Sequence, residues 1–250
     1  MSERHDEFFA VFDQGNWFLA SQKIVSLADQ STFGAEVLIR LFEGDRFLSN
    51  GKFFPGICRD ERYPRITQQI VDLISEQLDA DANLFEKHVF LNVTPTDFSN
   101  VLTVEKLASL GKKFRATQRD LVLELSEIFT PSELFDCLET VQAFREDGIL
   151  IGLDDYGTGV IRAEDIAKFP FDLVKSDRSL CGFEEAWENP LHGELMLVSD
   201  DRPLILIAEG IESIDQAEGL AALGYQYVQG YAFDLPSKLI QPNEVERSTL

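Results

Sequence analysis

Seven short apolar runs in this chain each end at once in a residue able to bind a metal or move a proton. They read Gly34-Ala35-Glu36, Val89-Phe90-Leu91-Asn92, Leu121-Val122-Leu123-Glu124, Ile151-Gly152-Leu153-Asp154-Asp155, Leu173-Val174-Lys175, Ile207-Ala208-Glu209 and Tyr227-Val228-Gln229. A strand whose C-terminal end opens into a site reads this way, and repetition around a barrel gathers the ends at one mouth. The pattern therefore points to an enzyme on a β/α barrel.

The order of elements supports that architecture. The first strand, roughly Trp17 to Val25, is separated from the second, Phe33 to Leu41, only by Ser26 to Thr32. That connection is too short for a crossover helix, so the two strands are expected to be antiparallel neighbours. Ile66, Ile70, Val71, Leu73, Ile74 and Leu78 recur at helical spacing, followed by a strand from His88 to Val93. A helix near Val104 to Lys113 leads into a strand from Leu121 to Ser126. Thr130-Pro131-Ser132-Glu133 carries the cap, first-position proline and third-position glutamate of a helix start, and that helix is expected to run to about Asp147. Strands follow at Ile149 to Asp155, Phe171 to Lys175 and Leu204 to Glu209, with a short helix after Arg162 and a longer segment interrupted by Pro190. Ser213-Ile214-Asp215-Gln216 is a second capping box, with a helix expected to end at Gly224 and an eighth strand from Tyr227 to Tyr231. No linker or repeat marks a boundary, so residues 1–250 are read as a single barrel domain.

Composition excludes several classes. The 44% apolar and 26% charged content is that of a folded globular chain. The N-terminus is charged where a signal peptide needs an apolar stretch, and no run approaches the roughly 18 apolar residues of a membrane span, which places the chain in the cytoplasm. Cys58, Cys137 and Cys181 are widely spaced and read as reduced thiols. His5, His88 and His192 form no ligand pattern and read as structural or surface residues. With 22 basic and 44 acidic residues the formal net charge is −22, which argues against a nucleic-acid polymer or an anionic membrane as partner. An anionic ligand would need cations supplied locally, and bound metal ions are one source.

The residues at the strand ends fit that need. Glu36, Asn92, Glu124 and Asp154 offer hard oxygen ligands of the kind that suit Mg²⁺ or Mn²⁺. Asp155 adds a carboxylate beside Asp154, so one aspartate could bridge two ions. Two metals suit in-line attack on a phosphodiester, with Lys175 holding the attacking water or offsetting charge. Any one of these residues alone reads as a cap, turn or surface group; together they are hard to assign to separate accidents. A barrel lyase with metal-bound carboxylates and a lysine base uses the same residue types. Gly157-Thr158-Gly159 is a weak phosphate-loop signal without a P-loop or dinucleotide fingerprint around it.

Seven motifs in register make the reading specific: Glu36-Val37-Leu38, Asn92-Val93-Thr94-Pro95, Glu124-Leu125-Ser126-Glu127, Asp154-Asp155-Tyr156-Gly157-Thr158-Gly159, Lys175-Ser176-Asp177-Arg178-Ser179, Ala208-Glu209-Gly210-Ile211-Glu212 and Gln229-Gly230-Tyr231. Over roughly Gln14 to Pro236 the chain resembles the EAL-domain family of bacterial cyclic di-GMP phosphodiesterases and their non-catalytic relatives. The resemblance implies a modified TIM-type β/α barrel with one antiparallel strand. It implies two divalent cations, Mg²⁺ or Mn²⁺: Glu36, Asn92, Glu124 and Asp154 would bind one, and Asp154, Asp155 and Glu209 the second. Lys175 would contact the catalytic water and Glu209 would act as general base. Gln22, Arg40, Asp177 and Gln229 would meet substrate or position water, and Glu127 would steady the loop after the paired aspartates. The implied reaction is hydrolysis of cyclic di-GMP to linear pGpG, and a homodimer is among the assemblies the resemblance leaves open.

The chain departs from the family pattern at Val37, where alanine is usual, at Ser176, where isoleucine is usual, and at Val160-Ile161-Arg162-Ala163, where Tyr-Ser-Ser-Leu is common. The last segment links the metal site to the dimer interface in the family. The Cys181 to Pro203 segment is also atypical. The altered Val160–Ala163 loop is the main support for an alternative: a catalytically inactive relative acting as a cyclic di-GMP effector or through a regulatory protein partner.

Overall fold

The computed structural model describes residues 2–44, 46–48, 56–126, 128–181, 189–217 and 219–242. Its strands are β1 (Trp17–Ser26), β2 (Thr32–Glu43), β3 (Arg46–Phe47), β4 (His88–Val93), β5 (Asp120–Ser126), β6 (Leu150–Tyr156), β7 (Leu173–Ser176), β8 (Ile205–Ala208), β9 (Tyr227–Val228) and β10 (Ser237–Ile240). Among them β1, β2 and β4 to β9 close into an eight-stranded barrel. β1 is antiparallel to both of its barrel neighbours, β2 and β9, while the other ring pairings are parallel. The short first connection thus produces the single reversed strand expected from the sequence.

Two strands lie outside the ring. β3 extends β2 as a hairpin, and β10 pairs with Leu19–Ser21 of β1, whose Val25 and Ser26 pair with β9. Sharing one edge of β1 between β9 and β10 covers backbone groups that the two-residue β9 leaves open. The expected eighth strand from Tyr227 to Tyr231 is shorter because Gly230 and the residues after it turn away.

The helices sit around the barrel. Tyr63–Ala80 buries Ile66, Ile70, Leu73 and Ile74, and Val101–Ala116 buries Leu107, Leu110 and Phe114, in the core between helices and sheet. Asn100 caps the second by accepting the Thr103 amide, which starts it earlier than the Val104 expected. The single helix expected after Thr130 is two, Pro131–Asp136 and Leu138–Glu146, broken at Cys137; the Thr130–Glu133 capping box is present. Pro190 opens the Pro190–Asp201 helix, with Asn189 Oδ1 accepting the Leu191 amide, instead of interrupting one. The helix after Ser213 spans only Ile214–Ala217 and does not reach Gly224. At the N-terminus the charged segment forms a helix, Ser2–Asp13, that buries Phe8, Phe9 and Phe12. Among the described residues no helix is long and apolar enough to cross a membrane. All three cysteines are buried and none forms a disulfide.

The barrel interior is layered. Ile24, Phe90, Val122, Leu173 and Ile207 form a closed apolar plug distinct from the outer core. Gly34 and Gly152 make room for it, since a Cβ at either position would stand 2.8 Å from Phe90 Cε2 or 2.5 Å from Leu173 Cδ1. Side chains alternate faces along a strand, so the residue two steps toward the mouth points inward again. From the plug and its two glycines those steps lead to Gln22, Asn92, Glu124, Lys175, Glu209, Glu36 and Asp154. One inward layer therefore carries almost the whole candidate site.

Candidate active site

Lys175 stands at the centre of that layer. Its ammonium lies 2.8 Å from Asp154, 2.9 Å from Glu124, 3.2 Å from Glu36 and 2.5 Å from Glu209, and its side chain is fully buried. Glu36 accepts further hydrogen bonds from Asn92 Nδ2 at 2.7 Å and Gln229 Nε2 at 2.8 Å. Gln22 takes a weaker bond from Gln229 at 3.4 Å and donates to the Asp234 carbonyl.

Charge in this layer is unbalanced. Glu36, Glu124, Asp154, Asp155 and Glu209 face one lysine. Burial holds the carboxyls of Glu124, Asp154 and Glu209 above the usual range, against the pull of Lys175. At Glu36 burial also raises the pKa, but Lys175 and the bonds from Gln229 and Asn92 outweigh it and the net shift is downward. Burial disfavours the Lys175 charge as well, yet Asp154, Glu124, Glu209 and Glu36 together raise its pKa well above the ordinary value. Such a cluster attracts further cations.

The donor set fits hard divalent ions. Glu36, Glu124 and Asp154 bring one carboxylate oxygen each within 4.8 Å of one another, and so do Asp154, Asp155 and Glu209, with Asp154 common to both groups. Buried Glu124 Oε2 and Gln229 Oε1 have no hydrogen-bond partner, which leaves acceptors aimed into the site. Asn92 adjoins the first group through Glu36. Asp155 adopts a left-handed φ of +55°, unusual for a residue other than glycine, and this break in the strand accompanies the approach of its carboxylate to within 4.8 Å of that of Asp154, where two consecutive extended residues would point to opposite faces. Gly230 has a φ of +159° and no room for a side chain: a Cβ there would lie 2.2 Å from Ile211 O.

Above the layer opens a cavity of about 400 Å³. Gln22, Asp177 and Gln229 line it. So do Arg178, Glu212 and Tyr231, to which the sequence reading gave no role; a cation at the rim of an acidic strand-end cluster was the available signal for Arg178. Arg40 lines an adjoining groove with Phe18, Phe47 and Lys238. The register explains this placement: Gln22 pairs with Glu36 and Phe18 with Arg40, so the β1–β2 hairpin projects beyond the ligand layer. Glu127 lies outside the described residues. Gly157-Thr158-Gly159 forms a turn in which the Thr158 hydroxyl donates to the Asp155 carbonyl.

A family model described as EAL domain matches residues 6–236. The probable cyclic di-GMP phosphodiesterase PdeB of Escherichia coli K12 is 30% identical, over 85% of this chain and 41% of its own length. The cyclic di-GMP phosphodiesterase RocR of Pseudomonas aeruginosa is 24% identical, over 90% of this chain and 58% of its own. The chain spans 30% of the signaling protein YkoW of Bacillus subtilis, at 25% identity over 95% of this chain. Among solved structures, the EAL enzyme Bd1971 bound to cAMP and cyclic di-GMP superimposes with a TM-score of 0.77 at 22% identity, covering 97% of this chain and 67% of that one. The PaMucR phosphodiesterase in complex with c-di-GMP gives 0.75 at 18% identity, covering 97% and 99%. These two likenesses show the barrel fold.

Proposed function

The chain belongs to the EAL domain family, and from that premise we propose that its barrel is a metal-dependent phosphodiesterase hydrolysing cyclic di-GMP to linear pGpG. The observation that carries this reading is the pair of carboxylate triads sharing Asp154 around a single buried lysine. Relatives named as cyclic di-GMP phosphodiesterases support the choice of substrate.

Glu36, Asn92, Glu124 and Asp154 would hold one ion, and Asp154, Asp155 and Glu209 a second, with Mg²⁺ or Mn²⁺ fitting the all-oxygen set. When bound, two such ions supply Lewis-acid polarisation of the phosphoryl oxygens and lower the pKa of water. Lys175 brings three N–H donors to the centre of the carboxylate layer, and one of them turned to the attacking water would orient it. Glu209, beside Lys175 at the end of β8, would take the proton from that water. Attack would form a bond from the water oxygen to phosphorus and break one bond to a 3′ oxygen, which takes a proton from solvent, leaving a 5′ phosphate and a free 3′ hydroxyl. Gln229 keeps Glu36 in place, while Gln22, Asp177 and Arg40 contact the dinucleotide, Arg40 from the adjoining groove.

A second reading, an effector that binds without cleaving, is favoured by the segment after Gly159. Val160 is exposed and Ile161 is buried where the family commonly carries Tyr-Ser-Ser-Leu. Coupling of this loop to a homodimer or to a protein partner would then replace turnover. Hydrolysis assays with and without chelator on the wild type and Asp154→Asn separate the readings. Metal-dependent cleavage lost in the variant supports the enzyme, and binding without any cleavage supports the effector.

A further inference from the structure

The mouth of the site presents an electrostatic problem. Glu36, Asp154, Asp155, Asp177, Glu209 and Glu212 line it, and Arg178 is the one cationic residue among the described lining. Lys175 lies below, fully buried and surrounded by carboxylates. A phosphodiester approaching a chain of net charge −22 therefore meets Arg178 as the cation of the mouth's described lining, with Arg40 set in the adjoining groove.

Arg178 is placed and restrained to act there. It follows β7 by two residues, immediately after Asp177. The Gly210 turn after Glu209, with φ of +65°, packs against its stem: a Cβ on Gly210 would lie 3.0 Å from Arg178 Cβ and 3.1 Å from Cδ. The guanidinium end reaches Glu212, with Nη1 2.9 Å from Oε1. Both side chains of that pair are about two-thirds exposed, at 66% and 62%. Exposed pairs of this kind contribute little and exchange partners readily. The planar fork of a guanidinium matches phosphate oxygens better than a single carboxylate oxygen.

Resting on the cyclic di-GMP reading above, we propose that Arg178 is the anion-recruiting residue of the mouth, releasing Glu212 to take a phosphate oxygen of the incoming cyclic dinucleotide. Glu212 parks the guanidinium beside the entrance while the mouth is empty, and the Gly210 turn holds its stem in range. Substrate capture by this device is electrostatic, so it weakens as salt rises.

The test is calorimetric titration of cyclic di-GMP, in Ca²⁺ buffer at low and at high salt, into wild type, Arg178→Gln, Arg178→Lys and Glu212→Gln. Steady-state kinetics of the same proteins in Mn²⁺ run alongside. Arg178→Gln is expected to weaken binding roughly ten-fold or more at low salt and to flatten the salt dependence. Arg178→Lys restores part of the affinity, and Glu212→Gln binds at least as tightly as wild type. In the kinetics the Arg178→Gln loss falls on KM, with kcat nearly unchanged. Equal affinity and an equal salt slope in wild type and Arg178→Gln overturn the role of Arg178 while leaving the functional reading intact. A wild type that binds no cyclic di-GMP overturns both.

Discussion

Lys175 Nζ lies 2.8 Å from Asp154 Oδ1, so the one buried ammonium is tied to the carboxylate that both triads share. Charge compensation and the proposed ion binding would therefore rest on the same aspartate. Replacing the lysine disturbs both, because removing one partner of a buried ionic group leaves the others uncompensated.

Lys175→Met is expected to lose turnover by at least about 100-fold. In chelator it is also expected to lose roughly 3 kcal/mol of stability at neutral pH. Denaturant unfolding with and without Mn²⁺ checks this, and part of the stability should return with the ion. A variant as stable as wild type in chelator would contradict the charge balance described here.

Each bound ion should stabilise the fold by about 2.7 kcal/mol at a hundredfold excess over its dissociation constant. Glu124→Gln keeps the shape of the fully buried ligand but removes its charge, so its metal-induced shift should be clearly smaller. Differential scanning calorimetry over a Mn²⁺ series measures both. An undiminished shift in the variant would remove Glu124 from the ligand set.

Asp97 gives a pH dependence separate from the site. It is fully buried beneath the end of β4, where its carboxylate accepts the Thr94 amide and hydroxyl, both at 2.8 Å. Burial outweighs those bonds and pushes its pKa up to about 6. The folded state thus binds the proton more tightly than the unfolded chain, so this group's penalty is absent well below its unfolded pKa of 3.8, grows between there and about 6, and is full above. Asp97→Asn should match wild type near the low end and exceed it by roughly 2–3 kcal/mol at neutral pH. Parallel denaturation curves across that range would refute the assignment by showing equal slopes.

Gly230→Ala should cost at least about 2 kcal/mol and displace Gln229, because its Cβ would meet the Ile211 carbonyl at 2.2 Å. Thermal unfolding combined with turnover detects the two effects together. A variant with wild-type stability would mean that the Ile211 segment yields freely.

The barrel was legible in the sequence because each strand end pairs an apolar run with a polar residue, and the Ser26–Thr32 gap is too short for a crossover. The same alternation, read two residues at a time, brings Phe90 to Asn92 and Leu173 to Lys175 in one interior. Other features depend on long-range packing that no local pattern records. β10 finds β1 across more than two hundred residues of chain, and the charges of Ser2–Asp13 mask the faces of Phe8, Phe9 and Phe12. Arg40 lies in the neighbouring groove because the β1–β2 hairpin outruns the ligand layer, a consequence of register and not of residue type.

The most direct measurement is chromatographic identification of the product formed from cyclic di-GMP by the purified chain in Mg²⁺ or Mn²⁺, beside Glu36→Ala. The account predicts pGpG from the wild type, none in chelator and none from the variant. Cleavage that persists unchanged in Glu36→Ala, or intact cyclic di-GMP after incubation with the wild type and metal, would contradict it.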